Sequence, residues 1–343
     1  MLLETDFLLP TGLGSNLKTY SLENSQQTRV AFSPVSTEVL LVNHALNTPF
    51  KFEAGKPSLL GYFTDQSGHI TLETWPAHQR SALLGRVIFS DNQGVFYRDI
   101  DLKGVGHIAY HLHPQPAPSD IFPVLNPELG TIRTSQGFLK SSQAFLDYQR
   151  SEKFYSEEIS THRVLAILRL NEIIYEGDRV PMYDAYLRGL IPGCFEPVIA
   201  VRAFRLKARI RNLGPWLPDQ AKLFLKDAKK TAFQITGERG LLQTDSFLEW
   251  FAENLGINVG RMHRLGFAHN FLTSHNICLD SSITDLDSLT LANPSLLKQD
   301  LSFAQKSLTI LLKFITLQGE TLNQTEENLA GIFKEAYTRE NTL

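Results

Sequence analysis

The chain has 343 residues and a net charge of -3 at pH 7, from 33 basic and 36 acidic side chains. Hydrophobic residues make up 43% of the sequence, which is typical of globular proteins and excludes intrinsic disorder. The balanced charge gives no basic field for nucleic acid, and the longest apolar run, 308–317, is too short to cross a membrane. We therefore expect a soluble protein with neither nucleic-acid nor membrane partners.

Cysteine content and the N-terminal residues indicate the compartment. The two cysteines, Cys194 and Cys278, are too few for a disulfide framework or a cysteine metal cage. Glu4 and Asp6 stand where a secretory signal peptide would carry positive charge. These features predict a reducing, cytoplasmic location.

The first part of the chain has the pattern of strands joined by turns. Apolar or alternating runs predict strands at 39–42, 69–75, 82–89 and 95–102. The residues Asp91-Asn92-Gln93-Gly94 predict a hairpin turn between the last two strands, so an antiparallel meander is expected. The proline-rich stretch 111–129 has no periodic apolar pattern and is predicted to be a long insertion loop.

The pattern becomes helical along the chain. Helical spacing predicts one helix at 141–158, followed by strands at 164–168, 172–175 and 197–204. Beyond the Gly- and Pro-containing stretch 212–218, helices are predicted at 219–235, 246–255, 302–317 and 326–337. The sequence thus predicts an α+β protein, with a strand-rich part at 1–211 that has one main helix and a helical part at 212–343.

The segment 266–291 has the highest density of chemically useful side chains. Asn276 ends a loop, and Asp285 follows nine residues later, after two short β-like pieces at 277–279 and 283–286. Kinase-like folds use an Asn and an Asp at this spacing to hold Mg²⁺ on ATP phosphates. The simpler interpretation is that both are ordinary turn residues.

The same segment lacks the usual catalytic base of kinases. In the kinase pattern H-x-D-x-x-x-x-N, His269 and Asn276 occupy the first and last positions, but Phe271 replaces the aspartate. His275 is the remaining nearby side chain that could accept a proton at neutral pH. Alternatively, it is a structural hydrogen-bonding residue.

Lys103 ends a predicted strand, directly before Gly104, where a kinase-like ATP site requires a lysine. An exposed lysine at a strand end is the alternative. Its carboxylate partner is predicted to be Glu152, which continues the apolar stripe of the helix at 141–158 and would need a cation on that face.

Five cations lie within 202–211, and they include Arg202 and Arg209. Guanidinium groups bind phosphate oxygens through paired hydrogen bonds, so this cluster suits a triphosphate. It would equally suit an RNA backbone or a solvated face.

Taken together, these segments resemble the selenoprotein-O family of protein adenylyltransferases, which have a kinase-like fold. The matching pieces occur in the family's order: 79–85 resembles D-G-R-A-x-L-L-G, 101–106 resembles Q-L-K-G-x-G, 160–165 resembles P-T-T-R-A-L, Arg202 and Arg209 match R-V-A-x-S-x-x-R, and 266–285 resembles G-F-x-H-G-V-M-N-T-D-N with its following aspartate. The resemblance implies a two-lobe fold with 1–211 as N-lobe and 212–343 as C-lobe.

The resemblance also implies site residues. Lys103, Arg202 and Arg209 would hold the phosphates of ATP, Arg80 would lie near the nucleotide loop, and Asn276 with Asp285 would bind Mg²⁺ or Mn²⁺. His275 stands where the family has its proton-accepting aspartate. Aligning the chain on Ser151-Glu152 makes Asp147 the partner of Lys103, whereas the helical stripe favours Glu152.

The reaction implied is transfer of AMP from Mg-ATP to a protein hydroxyl, known as adenylylation or AMPylation. Phosphoryl transfer to a protein or a small-molecule hydroxyl is the nearest alternative, because small-molecule kinases share the same spacing of residues. The third is a pseudokinase that binds nucleotide without catalysis, since the loss of a general base costs about 10²- to 10⁴-fold in rate.

Overall fold

A computed structural model describes residues 28–46, 48, 52–63, 70–74, 81–105, 138–175, 178–191, 193–215 and 218–342. Arg80 and the proline-rich stretch 111–129 lie outside these residues, so their predictions are not addressed. The described chain forms two compact units. Unit 1 contains the residues up to Phe145 together with Val164–Ala203, and unit 2 contains Leu146–Arg163 and everything from Phe204 onward.

This division differs from the predicted boundary after Arg211. Residues just after 203 belong to unit 2 because they pair with its central loop: Leu279 N donates to Ala208 O (2.7 Å) and Ile210 N donates to Ile277 O (3.0 Å). Most of the helix predicted at 141–158 also belongs to unit 2.

The strands are β1 (Thr28–Val42), β2 (Pro57–Phe63), β3 (Ile70–Thr74), β4 (Ser81–Ser90), β5 (Phe96–Lys103), β6 (Leu139–Lys140), β7 (Arg163–Leu170), β8 (Glu172–Tyr175), β9 (Asp178–Pro181) and β10 (Pro197–Phe204). Eight of them form one sheet in the order β2-β1-β3-β4-β5-β10-β6, with β7 paired to both β1 and β10. Strands β8 and β9 form a separate hairpin.

The predicted hairpin between β4 and β5 is present. The carboxylate of Asp91 accepts hydrogen bonds from Gln93 N and Val95 N, both at 2.9 Å, and Gly94 has φ +81°. Aspartate favours such a turn because its side chain can replace a backbone acceptor, and glycine takes a positive φ without strain. Strand β5 then continues with buried residues up to Lys103.

The helices are α1 (Ser141–Ser156), α2 (Met182–Leu187), α3 (Pro218–Thr236), α4 (Thr244–Arg264), α5 (Pro294–Leu317) and α6 (Glu326–Asn341). The five longer helices confirm the predicted ones, although α4 and α5 extend well beyond the predicted limits. Helix α5 begins at Asn293, whose Oδ1 accepts from Leu296 N (3.0 Å), with Pro294 in the first turn. No helix among the described residues is long and apolar enough to span a membrane.

The predicted α+β class is therefore confirmed: a strand-rich region with one main helix precedes a helical region. Within unit 2, α4 and α6 pack closely because α4 has glycines at the contact. A Cβ at Gly256 would lie 2.5 Å from the carbonyl oxygen of Phe333, closer than an alanine could be accommodated without displacement. This helix pair forms one side of the unit that contains the segment 266–291.

Candidate functional site

The segment 266–291 begins and ends in a two-stranded sheet. Strand β11 (Phe267–Ala268) pairs with β12 (Thr290–Leu291), and Gly266 has φ +79° at the turn into β11. Ala292 N also donates to Gly266 O (2.8 Å). The loop between the two strands therefore has its ends fixed together.

His269 anchors the interior of this loop. Its backbone N donates to Asp300 Oδ2 on α5 (2.5 Å), and its Nε2 donates to the carbonyl oxygen of Thr284 (2.8 Å). Burial lowers the pKa of His269, so the ring is neutral and binds as a hydrogen-bond donor. The histidine that the kinase pattern identified is thus a structural residue of the loop.

Asp300 connects the loop to three helices. The same Oδ2 atom lies 3.3 Å from His263 Nε2 on α4, and His263 Nδ1 lies 3.1 Å from the hydroxyl of Tyr337 on α6. Asp300 is completely buried. A buried carboxylate needs such donors, and here they fix the loop to the helical unit.

The segment that resembles P-T-T-R-A-L supports the other side of the loop. Thr161 Oγ1 donates to Ile283 O (2.6 Å), and Ile283 N donates to Ser160 O (3.0 Å). His162 lies with Nδ1 3.3 Å from Thr284 Oγ1 and Nε2 3.2 Å from Asp147 Oδ2. This motif therefore positions the residues that lead into Asp285.

The loop brings the two predicted metal ligands together. Ile277 pairs with Ile283 as an isolated bridge, and Thr284 N donates to Asn276 O (3.0 Å). The residue after Thr284 is Asp285, which has the left-handed backbone conformation φ 60°, ψ 51°. Aspartate is one of the few side chains that adopt this conformation readily, and it is often seen where function requires it.

Arg209 contacts both halves of this ligand pair. Its Nη1 donates to the carbonyl oxygen of His275 (2.6 Å) and lies 3.2 Å from Asp285 Oδ2. The residue is buried, and its Nε makes no hydrogen bond within the described part of the chain. An unsatisfied buried donor of a charged group is costly, so this atom suits an anionic ligand.

The donor set fits Mg²⁺ or Mn²⁺ in type. Asn276 Nδ2 donates to Phe271 O (2.8 Å), while Oδ1 accepts no hydrogen bond from described residues. One amide oxygen and one carboxylate suit a hard cation whose other ligands are phosphates and waters. No cluster of three or more His, Cys, Asp or Glu side chains that could hold a metal occurs among the described residues.

His275 is exposed, and its carbonyl rather than its ring contacts Arg209. Desolvation by the surrounding protein, followed by repulsion from Arg211 and Arg209, lowers the pKa of the His275 ring to about 4. The ring is therefore a weaker base than an ordinary histidine. Phe271, at the usual base position, is 59% exposed.

This pKa predicts the pH dependence of any activity that needs neutral His275. The ring is already deprotonated above about pH 5, so the rate should be flat through pH 6.5 instead of rising there as an unperturbed histidine requires. The measurement is the initial rate of transfer against pH for the wild type and His275→Ala. A rise centred near 6.5 that disappears in His275→Ala would contradict the lowered pKa.

Arg202 is engaged differently from its predicted phosphate role. Its Nε and Nη2 donate to the two carboxylate oxygens of Asp101, at 2.9 and 2.8 Å, and both side chains are completely buried. This bidentate pair joins β5 and β10 inside unit 1 and gives Arg202 a structural role. Arg202, Lys207 and Arg209 are all buried, so the cluster at 202–211 is not a solvated face.

Lys103 is 2% exposed, so the alternative of an exposed strand end is wrong. The glycine after it is required, because Gly104 has φ +100° and a Cβ there would lie 2.4 Å from the carbonyl oxygen of Val198. Its predicted contact with ATP phosphate stays a prediction.

Glu152 has a different partner from the one predicted. Its carboxylate pairs with Arg163, with Oε1 2.6 Å from Arg163 Nε, and that guanidinium also lies 3.7 Å from the ring centroid of Tyr155. Asp147 is the completely buried carboxylate of α1, whereas the Glu152 side chain is 24% exposed. The helical stripe alone therefore selected the wrong buried acid.

Comparison with known proteins gives matches in structure but not in sequence. No model of a known protein family matches the chain, and no curated protein is similar to it in sequence. The resemblance to the selenoprotein-O family therefore remains a prediction.

Three solved structures are similar to the chain. They are the kinase domain of a rhoptry antigen from Toxoplasma gondii (10% identity, 90% of this chain and 86% of that chain covered, TM-score 0.37), ROP2 from Toxoplasma gondii, described as a virulence factor with a protein-kinase fold and no enzymatic activity (9% identity, 91% and 85% covered, TM-score 0.36), and WaaP in complex with acyl carrier protein (12% identity, 76% and 85% covered, TM-score 0.26). Because these TM-scores are low, the functional proposals rest on this chain's own residues.

Proposed function

We propose that the protein binds Mg-ATP through the segment 266–291 and transfers a group from it to a hydroxyl acceptor, as kinase-like enzymes do. The observation that carries the proposal is the pairing of Asn276 with the residues next to Asp285. That pairing puts an amide oxygen donor and a carboxylate beside one guanidinium, that of Arg209. Turn residues alone do not require this combination of groups.

Each residue would have a distinct task. Asn276 and Asp285 would hold the metal, which neutralises phosphate charge and polarises the reacting phosphorus. Arg209 would offer its unpartnered Nε to a phosphate oxygen while its Nη1 keeps Asp285 in position. Transfer of this kind depends mainly on positioning and electrostatics, so it can proceed with a weak base.

AMP transfer to a protein hydroxyl is the reaction we propose, because the family resemblance extends over five segments of the chain. Phosphoryl transfer uses the same ligands and differs in which phosphorus the hydroxyl attacks. Attack at the α-phosphorus releases pyrophosphate and retains AMP on the acceptor. Attack at the γ-phosphorus releases ADP and retains a phosphoryl group.

The test uses ATP labelled in either the α- or the γ-phosphate, with Mg²⁺ and the protein's own hydroxyl groups or a mixed protein extract as acceptors. We expect label on protein from α-labelled ATP and none from γ-labelled ATP. Asp285→Asn serves as the inactive control. Label from γ-labelled ATP alone would replace AMP transfer with phosphoryl transfer.

A nucleotide-binding protein without catalysis is the second candidate, and specific observations favour it. Phe271 occupies the base position, and the lowered pKa of His275 leaves a poor proton acceptor. If neither label is transferred while Mg-ATP still binds, this candidate replaces the transferase. Phe271→Asp is the informative variant, because restoring a base should then produce activity if the remaining groups are competent.

A further inference from the structure

A groove of about 560 Å³ lies in unit 2, away from the segment 266–291. It is bounded by the turn Arg239–Leu242 and by α4 and α6. Binding sites for small ligands and peptide side chains commonly have volumes of about 300–1,000 Å³. The size of the groove is therefore sufficient for a specific occupant.

The walls combine an apolar floor with an acidic rim. Helix α4 lines the groove with Ser246, Glu249, Trp250 and Glu253, and α6 lines it with Ile332, Glu335, Ala336 and Arg339. Both sets have the spacing i, i+3, i+4, i+7, which places them along one face of each helix. Leu241 and Glu238 close one end. The groove thus runs along two helical turns, a rise of about 10 Å, which three or four extended residues would cover.

The rim has an excess of negative charge. It contains four glutamates and one arginine, Arg339, which pairs with Glu253 at 3.1 Å. Glu249 accepts a hydrogen bond from Gln324 Nε2 (2.5 Å) and has no cation. Glu238 and Glu335 form no ion pair with any described residue. A cationic occupant would therefore meet uncompensated carboxylates on both sides.

We propose that this groove binds a short basic segment of a partner protein, in which lysine or arginine alternates with apolar residues. The cations would contact Glu335, Glu249 and Glu238, and the Trp250 indole offers a face on which a guanidinium can stack. The apolar side chains would cover Leu241, Ile332 and Ala336. Charge complementarity selects the sign of the partner, and the apolar floor selects a peptide over a simple cation.

The probe is a fluorescein-labelled peptide that alternates Leu and Arg, titrated with the full-length protein and followed by fluorescence polarisation. A peptide that alternates Leu and Glu is the control for charge. Unlabelled spermine, added as a competitor, distinguishes a peptide site from a site for small polycations. We expect binding of the Leu-Arg peptide alone, with an affinity that weakens as salt is raised.

Variants of matched chemistry locate the binding. Glu335→Lys should weaken the Leu-Arg peptide by roughly three- to tenfold, because an attraction becomes a repulsion at a solvent-accessible site. Trp250→Ala should weaken it by about tenfold through loss of stacking and apolar contact. Glu327→Lys carries the same charge change on the same helix outside the groove and should leave the affinity unchanged. Melting temperatures establish that all three variants are folded.

Several results would overturn the proposal. These are no binding of the Leu-Arg peptide to the wild type, equal weakening by Glu327→Lys and Glu335→Lys, equal binding of the Leu-Glu peptide, or displacement by spermine at the concentration at which the unlabelled peptide displaces the probe. The assay contains no nucleotide. Its failure would therefore leave the proposed ATP site unaffected.

Discussion

Replacing Arg202 with Met is expected to lower the free energy of unfolding by about 3–5 kcal/mol. The change removes the bidentate partner of Asp101 at a site where both side chains are completely buried, so the carboxylate loses two charge-assisted hydrogen bonds in a region without solvent. Denaturant unfolding of the wild type and the variant, followed by circular dichroism, measures the difference.

Two controls give this result its meaning. Arg202→Met combined with Asp101→Leu should recover most of the lost stability, because a buried ion pair can often be replaced by apolar side chains of similar volume. Arg179→Met breaks the pair with Glu172, whose arginine side chain is 53% exposed, and should cost no more than about 1 kcal/mol. If Arg202→Met is as stable as the wild type but binds ATP more weakly, Arg202 is a phosphate ligand and its pairing with Asp101 contributes little.

Replacing Asp285 with Asn is expected to reduce metal-dependent transfer at least a hundredfold while leaving the protein folded. Metal ions supply several kcal/mol of transition-state stabilisation, and each 1.36 kcal/mol corresponds to a factor of ten in rate. Asparagine tolerates the left-handed conformation of residue 285, so the backbone has no reason to change. The initial rate of label transfer at saturating Mg²⁺, together with the melting temperature, gives both parts of the result.

Asp287→Asn is the matched control, since it makes the same exchange two residues later in the short helical turn at 286–288. Its rate should stay within about threefold of the wild type, because a substitution that removes no ligand changes only the local charge. Equal losses in Asp285→Asn and Asp287→Asn would show that charge near the loop matters and that Asp285 is not a metal ligand.

Much of the fold was predictable because it depends on local periodicity and turn chemistry. The hairpin at Asp91–Gly94 and the longer helices are written in residues close to one another in sequence. Helix α2 has only six residues, too few for a helical period to stand out. The unit boundary was placed too late because residues 204–211 pair with the loop at 274–279, a contact that no local pattern reveals.

The candidate site was predictable in part for the same reason. Asn276 and Asp285 are separated by a short paired segment, so their spacing alone brings them together. The partners of Arg202 and Glu152 depend on tertiary packing: Asp101 lies on a neighbouring strand, and Arg163 lies beyond the end of α1. The support from Asp300 and His162 was also missed, although the resemblance of 160–165 to a family motif was a signal that this segment matters.

The most direct test of the central claim is a calorimetric titration of ATP into the wild-type protein, with Mg²⁺ present and again with the metal removed by a chelator. If Asn276 and Asp285 hold the metal on the phosphates, binding is saturable with Mg²⁺ and at least tenfold weaker without it, and Asp285→Asn abolishes that difference. Equal affinity with and without metal, or no binding in either case, would contradict the assignment of this loop as a Mg-ATP site.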